Sequence, residues 1–173
     1  PFGNIKDIQL GVPVAINIEN GIAAMALAQI SGASNGEIKA AMVSFKGVDR
    51  RFDFKIKNDK VVFLSDYAHH PEEIKQSILS MRALYEDKKI TGIFQPHLYT
   101  RTRDFAPEFA EALSLADKVI LLDIYPAREL PIPGVTSEII FKDITSEKVL
   151  IRREELMGYL ENEPVEVLAT LGA

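Results

Sequence analysis

From about residue 60 onward, short apolar runs alternate with amphipathic stretches, and this alternation admits one main kind of architecture. Residues 60–66 and 90–95 read as strands, and 71–86 as a helix with Ile74, Ile78, Met81 and either Leu84 or Tyr85 on its inner stripe. A helix over 105–115, a strand over 118–124, a short helix or irregular turn at 136–141, a strand near 148–151, a helix over 152–161 and a strand over 165–171 complete the series. Near-continuous apolar strands separated by helices predict a mainly parallel sheet, helices on both faces and right-handed crossovers. Ligands in such sheets gather beyond the carboxyl ends of the strands.

The segments before residue 60 follow other rules. Residues 1–15 read as strand and turn material, with Gly3, Gly11 and Pro13 interrupting them. Residues 17–30 form an alanine-rich helix expected to be mostly buried, and Asn35-Gly36-Glu37 opens a second helix that ends by Gly47. Phe52, Phe54 and Ile56 alternate with charged residues ahead of an Asn58-Asp59 turn, so 51–66 reads as a β-hairpin. The chain is expected to be a piece of a longer one, because it opens on Pro1 and stops at Leu171-Gly172-Ala173 directly after a strand-like run. If the rest of its domain is missing, the apolar face of helix 17–30 favours self-association.

Composition limits the chemistry. Twenty basic against twenty-five acidic side chains give a net charge of -5, which argues against general nucleic-acid or anionic-membrane affinity. With no cysteine there is neither a disulfide nor a thiolate metal site, and a cytoplasmic setting is expected. No run reaches the roughly 20 apolar residues that cross a bilayer.

Two segments carry the candidate chemistry. In Asp66-Tyr67-Ala68-His69-His70-Pro71, a buried strand gives way to a carboxylate, two histidines and a helix start, where Pro71 suits the first helical position. Asp66 either caps the following turn or accepts from a ligand hydroxyl. Adjacent histidines share one metal poorly, and no carboxylate spacing supports His97 as a third ligand, so no metal site is expected. The second segment is His97-Leu98-Tyr99-Thr100-Arg101-Thr102-Arg103-Asp104, read as a loop. Forked guanidinium donors suit a carboxylate or phosphate. Arg101 is the favoured ligand-binding group, while Arg103 has Asp104 as a competing partner. Arg50-Arg51 is either a solvated face or a reach toward a phosphate. No Gly-x-x-x-x-Gly-Lys loop, Gly-x-Ser-x-Gly elbow or cysteine nucleophile is present, so the chain alone lacks a catalytic engine.

These two segments, together with Gly47-Val48-Asp49-Arg50-Arg51-Phe52, Tyr125-Pro126-Ala127-Arg128-Glu129 with Pro131-Ile132-Pro133-Gly134, and Asn17-Ile18-Glu19-Asn20, resemble those of the Mur ligase family in the same order. The resemblance implies that 1–47 is the tail of a central ATP-binding domain and 48–173 most of a C-terminal Rossmann-like domain. It also implies a cytoplasmic, ATP- and magnesium-dependent enzyme joining L-alanine to the carboxylate of UDP-N-acetylmuramate through an acyl phosphate in peptidoglycan precursor synthesis, with the magnesium ligands outside this chain. Asn17 and Asn20 would lie on the adenine side, Arg51 would reach the ATP phosphates and Asp66 would hold the ribose. Tyr67, His69, His97 and Arg101 would line the amino-acid pocket, and Arg51, His69 and Arg101 would be the catalytic groups. The family usually has Gly and His where Val14 and Ile16 stand, and commonly a second arginine where Leu98 stands. Arg103 is then the substitute for the missing arginine. Two other readings stay open: a related ligase that recycles a murein tripeptide, and a binding module without turnover.

Overall fold

The computed structural model describes residues 4–172, except for the side chains of Ala15 and Ile16, so the expectation attached to Ile16 lies outside the described residues. The chain divides into two compact units, Pro1–Val48 and Asp49–Ala173.

In the first unit, α1 (Ala15–Ile30) packs with α2 (Asn35–Ser44). Ser34 caps α2: its hydroxyl accepts from the Glu37 N–H while the Glu37 carboxylate accepts from the Ser34 N–H, satisfying two orphan donors reciprocally. The described residues ahead of α1 form no strand, contrary to expectation. Helix α1 is not mostly buried either: Ile22 is 60% and Leu27 64% exposed. Alanines let α1 approach a neighbour closely, but α2 covers only part of its surface. An apolar cleft of about 580 Å³, lined by Ile8, Leu10, Pro13, Ile18, Ile22 and Met25, stays open on this unit.

The second unit is a six-stranded sheet in the order β1-β2-β6-β3-β4-β5. Its strands are β1 (Asp53–Lys57), β2 (Val62–Asp66), β3 (Ile90–Phe94), β4 (Lys118–Leu122), β5 (Glu147–Ile151) and β6 (Val167–Leu171). Only β1 runs antiparallel, forming the expected hairpin with β2. Asn58 closes that turn by accepting from the Lys60 and Val61 N–H groups, each at 2.9 Å. The remaining neighbours are parallel, with β6 inserted between β2 and β3.

Alternation along β3 divides the sheet into two covered faces. Phe94 meets Phe109 of α5 (Ala106–Leu113), ring centroids 5.2 Å apart, and α5 packs on α3 (Pro71–Leu84), whose stripe Ile74, Ile78 and Met81 is fully buried. Of the two residues expected to extend that stripe, Tyr85 is half-buried and Leu84 is 40% exposed. Ile93 points the other way, into a cluster with Ile120 and Leu122 that is covered by Leu156, Tyr159 and Leu160 of α7 (Leu156–Leu160). The short α6 (Glu138–Phe141) packs beside α5. The stretch 99–104, read from sequence as loop, is a helix, α4 (Tyr99–Asp104). Thr102 turns inward there and donates its hydroxyl back to the Leu98 carbonyl, supporting a turn that residue spacing alone did not reveal.

Candidate functional site

Chemistry-bearing side chains collect at the carboxyl ends of β2, β6, β3 and β4, four neighbouring strands. At roughly 4.8 Å per strand, the ends of β2 and β3 lie about 10 Å apart across β6. Gly172 closes that gap: its N–H donates to the Asp66 carbonyl at 3.2 Å and its carbonyl accepts from the Arg50 guanidinium at 3.2 Å. Its φ is +132°, and a Cβ would sit 3.2 Å from the Gln95 carbonyl oxygen, so glycine suits both the conformation and the space.

Asp66 ends β2 half-buried. Its carboxylate accepts from the Ala68 N–H at 3.4 Å, a turn-capping contact, which was one of its two readings. Burial pushes its carboxyl above the usual range, opposed by the Ala68 hydrogen bond, the nearby polar groups of Ser77 and Phe52 and the charge of Arg51. Tyr67 follows with two cations over its ring, the Arg50 guanidinium 4.9 Å and the Arg51 guanidinium 5.2 Å from the centroid. Arg51 itself remains exposed.

His69 is held from several sides. Its Nδ1 lies 3.0 Å from the Tyr67 carbonyl, its ring meets that of Tyr67 edge-on at 5.0 Å, and its N–H donates to the Glu73 carboxylate at 3.0 Å. Glu73 also accepts from the His70 N–H at 3.2 Å, so one carboxylate from the first turn of α3 fixes both histidine backbones. The His70 ring packs on Phe105 at 5.0 Å, at the junction of α4 and α5, which ties the two segments together.

Beyond β3, the chain continues through Pro96 to His97, whose ring stacks on Tyr125. A parallel bridge joins His97 to Tyr125 and extends the β3–β4 pairing past the sheet. Leu98 then adopts φ +74° before α4 begins. The Nδ1 of His97 and one terminal nitrogen of Arg101 are buried without a hydrogen-bond partner. Buried polar atoms are nearly always satisfied; the Ser77 and Ser146 hydroxyls are also without partners, and the His97 and Arg101 nitrogens are the two that belong to the second candidate segment. Burial, with the charges of Arg101 and His69 next, holds His97 below the ordinary imidazole value.

Arg103 lies apart from this arrangement. It is exposed, and its Nε binds the Asp104 carboxylate at 2.7 Å, the competing pairing weighed from the sequence. Arg101 and Arg103 stand on α4 rather than on a loop. Asn17 and Asn20 belong to α1 in the other unit, where the Asn17 amide donates to the Val12 carbonyl at 3.2 Å and Asn20 is exposed. Arg50, weighed from the sequence only together with Arg51 as a solvated face or a reach toward a phosphate, touches both Tyr67 and Gly172, and Tyr125, whose ring backs His97, was given no role of its own. Tyr125 follows a strand, which was its one available signal. Among the described residues, no group of three or more His, Asp or Glu side chains gathers as a metal site.

Comparison with known proteins gives this rim a context. Residues 50–169 match the family described as Mur ligase, glutamate ligase domain. The whole chain is 70% identical to part of the UDP-N-acetylmuramate--L-alanine ligase of Phocaeicola vulgatus and 57% identical to part of the ligase of the same name from Parabacteroides distasonis. It spans 38% of the length of each. The crystal structure of the UDP-N-acetylmuramate-alanine ligase of Thermotoga maritima superposes with a TM-score of 0.79 at 27% identity, over 96% of this chain and 36% of that one. A murein peptide ligase from Psychrobacter arcticus, 17% identical, shares the fold with a TM-score of 0.64 over 95% of this chain and 35% of its own.

Proposed function

Because the chain belongs to the Mur ligase family, we propose that it is the C-terminal part of a cytoplasmic ATP-dependent ligase that joins L-alanine to UDP-N-acetylmuramate during peptidoglycan precursor synthesis. The observation that carries this reading is the pair of unpartnered buried nitrogens on His97 and Arg101, facing a rim that also holds His69, Tyr67 and Asp66. A free α-amino acid offers a carboxylate for Arg101, which no protein group satisfies. The 70% identity with an alanine ligase along the whole chain supports the choice of amino acid.

In this reading, residues 1–47 end the central ATP-binding domain and 48–173 form most of the C-terminal one. Asp66, at the end of β2, accepts from the ribose hydroxyls of ATP, and the exposed Arg51 guanidinium reaches its phosphates. Asn17 and Asn20 serve the adenine side. ATP phosphorylates the muramate carboxylate; the alanine amine attacks the acyl carbon, and the tetrahedral adduct collapses with loss of phosphate. Positive charge fixed in place before the attack stabilises the adduct more than the ground state. Arg101 binds the alanine carboxylate, while Tyr67, His69 and His97 line the pocket; Arg103, paired with Asp104, does not serve as a second guanidinium. Magnesium, when bound, would neutralise phosphate charge, with its ligands in segments outside this chain as the family resemblance implies. The chain by itself is inactive, consistent with its lack of a phosphate-binding loop. No described helix is long and apolar enough to cross a membrane.

The test is ADP release by the full-length protein, which is expected to require both UDP-N-acetylmuramate and L-alanine. Turnover with a murein tripeptide in place of L-alanine would replace this reading with the recycling ligase. ATP hydrolysis by residues 1–173 alone would overturn the division of labour.

A further inference from the structure

We propose that Glu129 is a positioning residue: by gripping Thr100 it clamps the segment after β4 onto the start of α4 and so fixes the aim of His97 and Arg101. The role of those two side chains rests on the functional reading above; the clamp itself does not.

The clamp is built from contacts on both chain segments. The Glu129 carboxylate accepts from the Thr100 N–H at 3.0 Å through one oxygen and from the Thr100 hydroxyl through the other. A few residues back, the Leu98 N–H donates to the Tyr125 carbonyl at 3.0 Å and the Tyr125 N–H to the Pro96 carbonyl at 2.8 Å. The stacked rings of His97 and Tyr125 lie between these tie points in sequence. Segments 96–100 and 125–129 are thus laced together along their length, with Thr100 and Glu129 as the far fastening.

This lacing acts where the backbone resists. Leu98 at φ +74° and Ala127 at φ +51° occupy a region that side-chain-bearing residues seldom adopt, one in each laced segment. Such conformations persist only when neighbouring contacts over-determine them. Releasing Thr100 frees Leu98 to relax, and with it the first turn of α4 and the direction of Arg101. Both carboxylate oxygens of Glu129 are occupied by Thr100. The carboxylate touches no buried orphan of the site, so its effect passes through Thr100.

The experiment uses the full-length protein with Glu129→Ala, Glu129→Gln, Thr100→Val and the Glu129→Ala/Thr100→Val pair. A displaced binding group costs on the order of tenfold or more, so Glu129→Ala is expected to raise KM for L-alanine by about tenfold, with KM for ATP within about twofold. Glu129→Gln should restore KM for L-alanine to within about threefold of the parent, because its amide oxygen still accepts the Thr100 N–H and its NH2 can donate to the hydroxyl. The double variant should be no worse than Glu129→Ala, as expected for groups acting as one unit. Equal defects in Glu129→Gln and Glu129→Ala, or parallel rises in both KM values, would overturn the proposal. A second readout does not depend on substrate identity: Glu129→Ala in residues 1–173 should speed amide exchange at Thr100 by about tenfold or more as the clamp opens, and unchanged exchange overturns it. Parent protein that ignores L-alanine would instead condemn the functional reading, leaving the exchange result to decide the clamp.

Discussion

The rings of His97 and Tyr125 lie nearly parallel, 19° apart in plane with centroids separated by 5.7 Å. One face of the imidazole is therefore shielded from water at the position where Arg101 and His69 add positive charge, and both effects disfavour the imidazolium.

His97 should accordingly titrate below the ordinary histidine value of about 6.5. In the window from that value down to its own lower pKa, the unfolded chain binds a proton that the folded chain does not, so this group makes stability fall as pH falls and adds no dependence above the window. Ring-proton NMR titration checks the pKa. Saturation of the full-length protein with L-alanine should shift it upward, because a carboxylate on Arg101 cancels the nearest opposing charge; an unmoved titration would separate His97 from the amino-acid site.

Asp66 has the opposite bias. Burial raises its carboxyl despite Ser77, Ala68, Phe52 and Arg51, so the folded state holds the proton more tightly than the unfolded one. Stability is then lost as pH rises from the ordinary carboxylate value to the raised one, and the loss is complete above it. Asp66→Asn removes this penalty while keeping an oxygen for the Ala68 N–H. Its melting temperature at pH 7 should equal or exceed that of the parent, with the gap closing as the pH is lowered past the parent's titration, and ATP-dependent turnover by the full-length variant should be lost.

A structural prediction concerns the far edge of the sheet. The Lys148 ammonium donates to the carbonyls of Phe141 at 2.7 Å, Lys142 at 3.2 Å and Ile144 at 2.7 Å, filling the C-terminal end of α6. A helix end leaves carbonyl capacity unfilled, here with the Phe141 carbonyl also accepting from the Ile144 N–H at 3.3 Å, and the negative end of the helix dipole favours a cation. Methionine keeps an apolar stem of similar length but removes the donors and the ammonium that lies 4.9 Å from the Phe141 ring centroid. Lys148→Met should cost about 1.5–3 kcal/mol in urea unfolding, with ligand affinity at the rim unchanged.

Much of this architecture is legible in the chain because its signals are local. Val62 to Leu64, Ile90 to Phe94 and Val119 to Leu122 are apolar runs too short for helices, and the stripe Ile74, Ile78, Met81 keeps a helical period. The insertion of β6 between β2 and β3 is not local, since it depends on where the last crossover lands, and no residue pattern announces it. Helix α4 was missed for another reason: Tyr99 to Asp104 is polar throughout, and only the inward turn of Thr102 gives it a buried side. Helix α1 erred the opposite way, because apolar spacing signals a face that wants cover without saying what supplies it. At the rim, Asp66, His69, His97 and Arg101 stand out as residue types, whereas the partners that aim them, Arg50, Tyr125 and Glu129, are ordinary until the fold brings them close.

The sharpest test of the amino-acid site separates two arginines on one short helix. Arg101 is partly buried and has a nitrogen with no protein partner, so a ligand carboxylate gains a charge-assisted bond there that water does not match. Arg103 is exposed and already paired with Asp104, an interaction worth at most about 1 kcal/mol. A second guanidinium from Arg103 would first have to give up that pairing and swing around α4. Arg101→Ala in the full-length protein should raise KM for L-alanine by about two orders of magnitude, the usual scale for removing one partner of a buried charged pair. Arg103→Ala should change it by no more than about fivefold, the equivalent of that surface pair. Lysine at 101 should rescue only partly, because a point charge cannot reproduce the two-pronged grip of a guanidinium. Steady-state kinetics with varied L-alanine decides the matter, and a larger loss from Arg103→Ala than from Arg101→Ala would move the carboxylate site to the outer face of the helix.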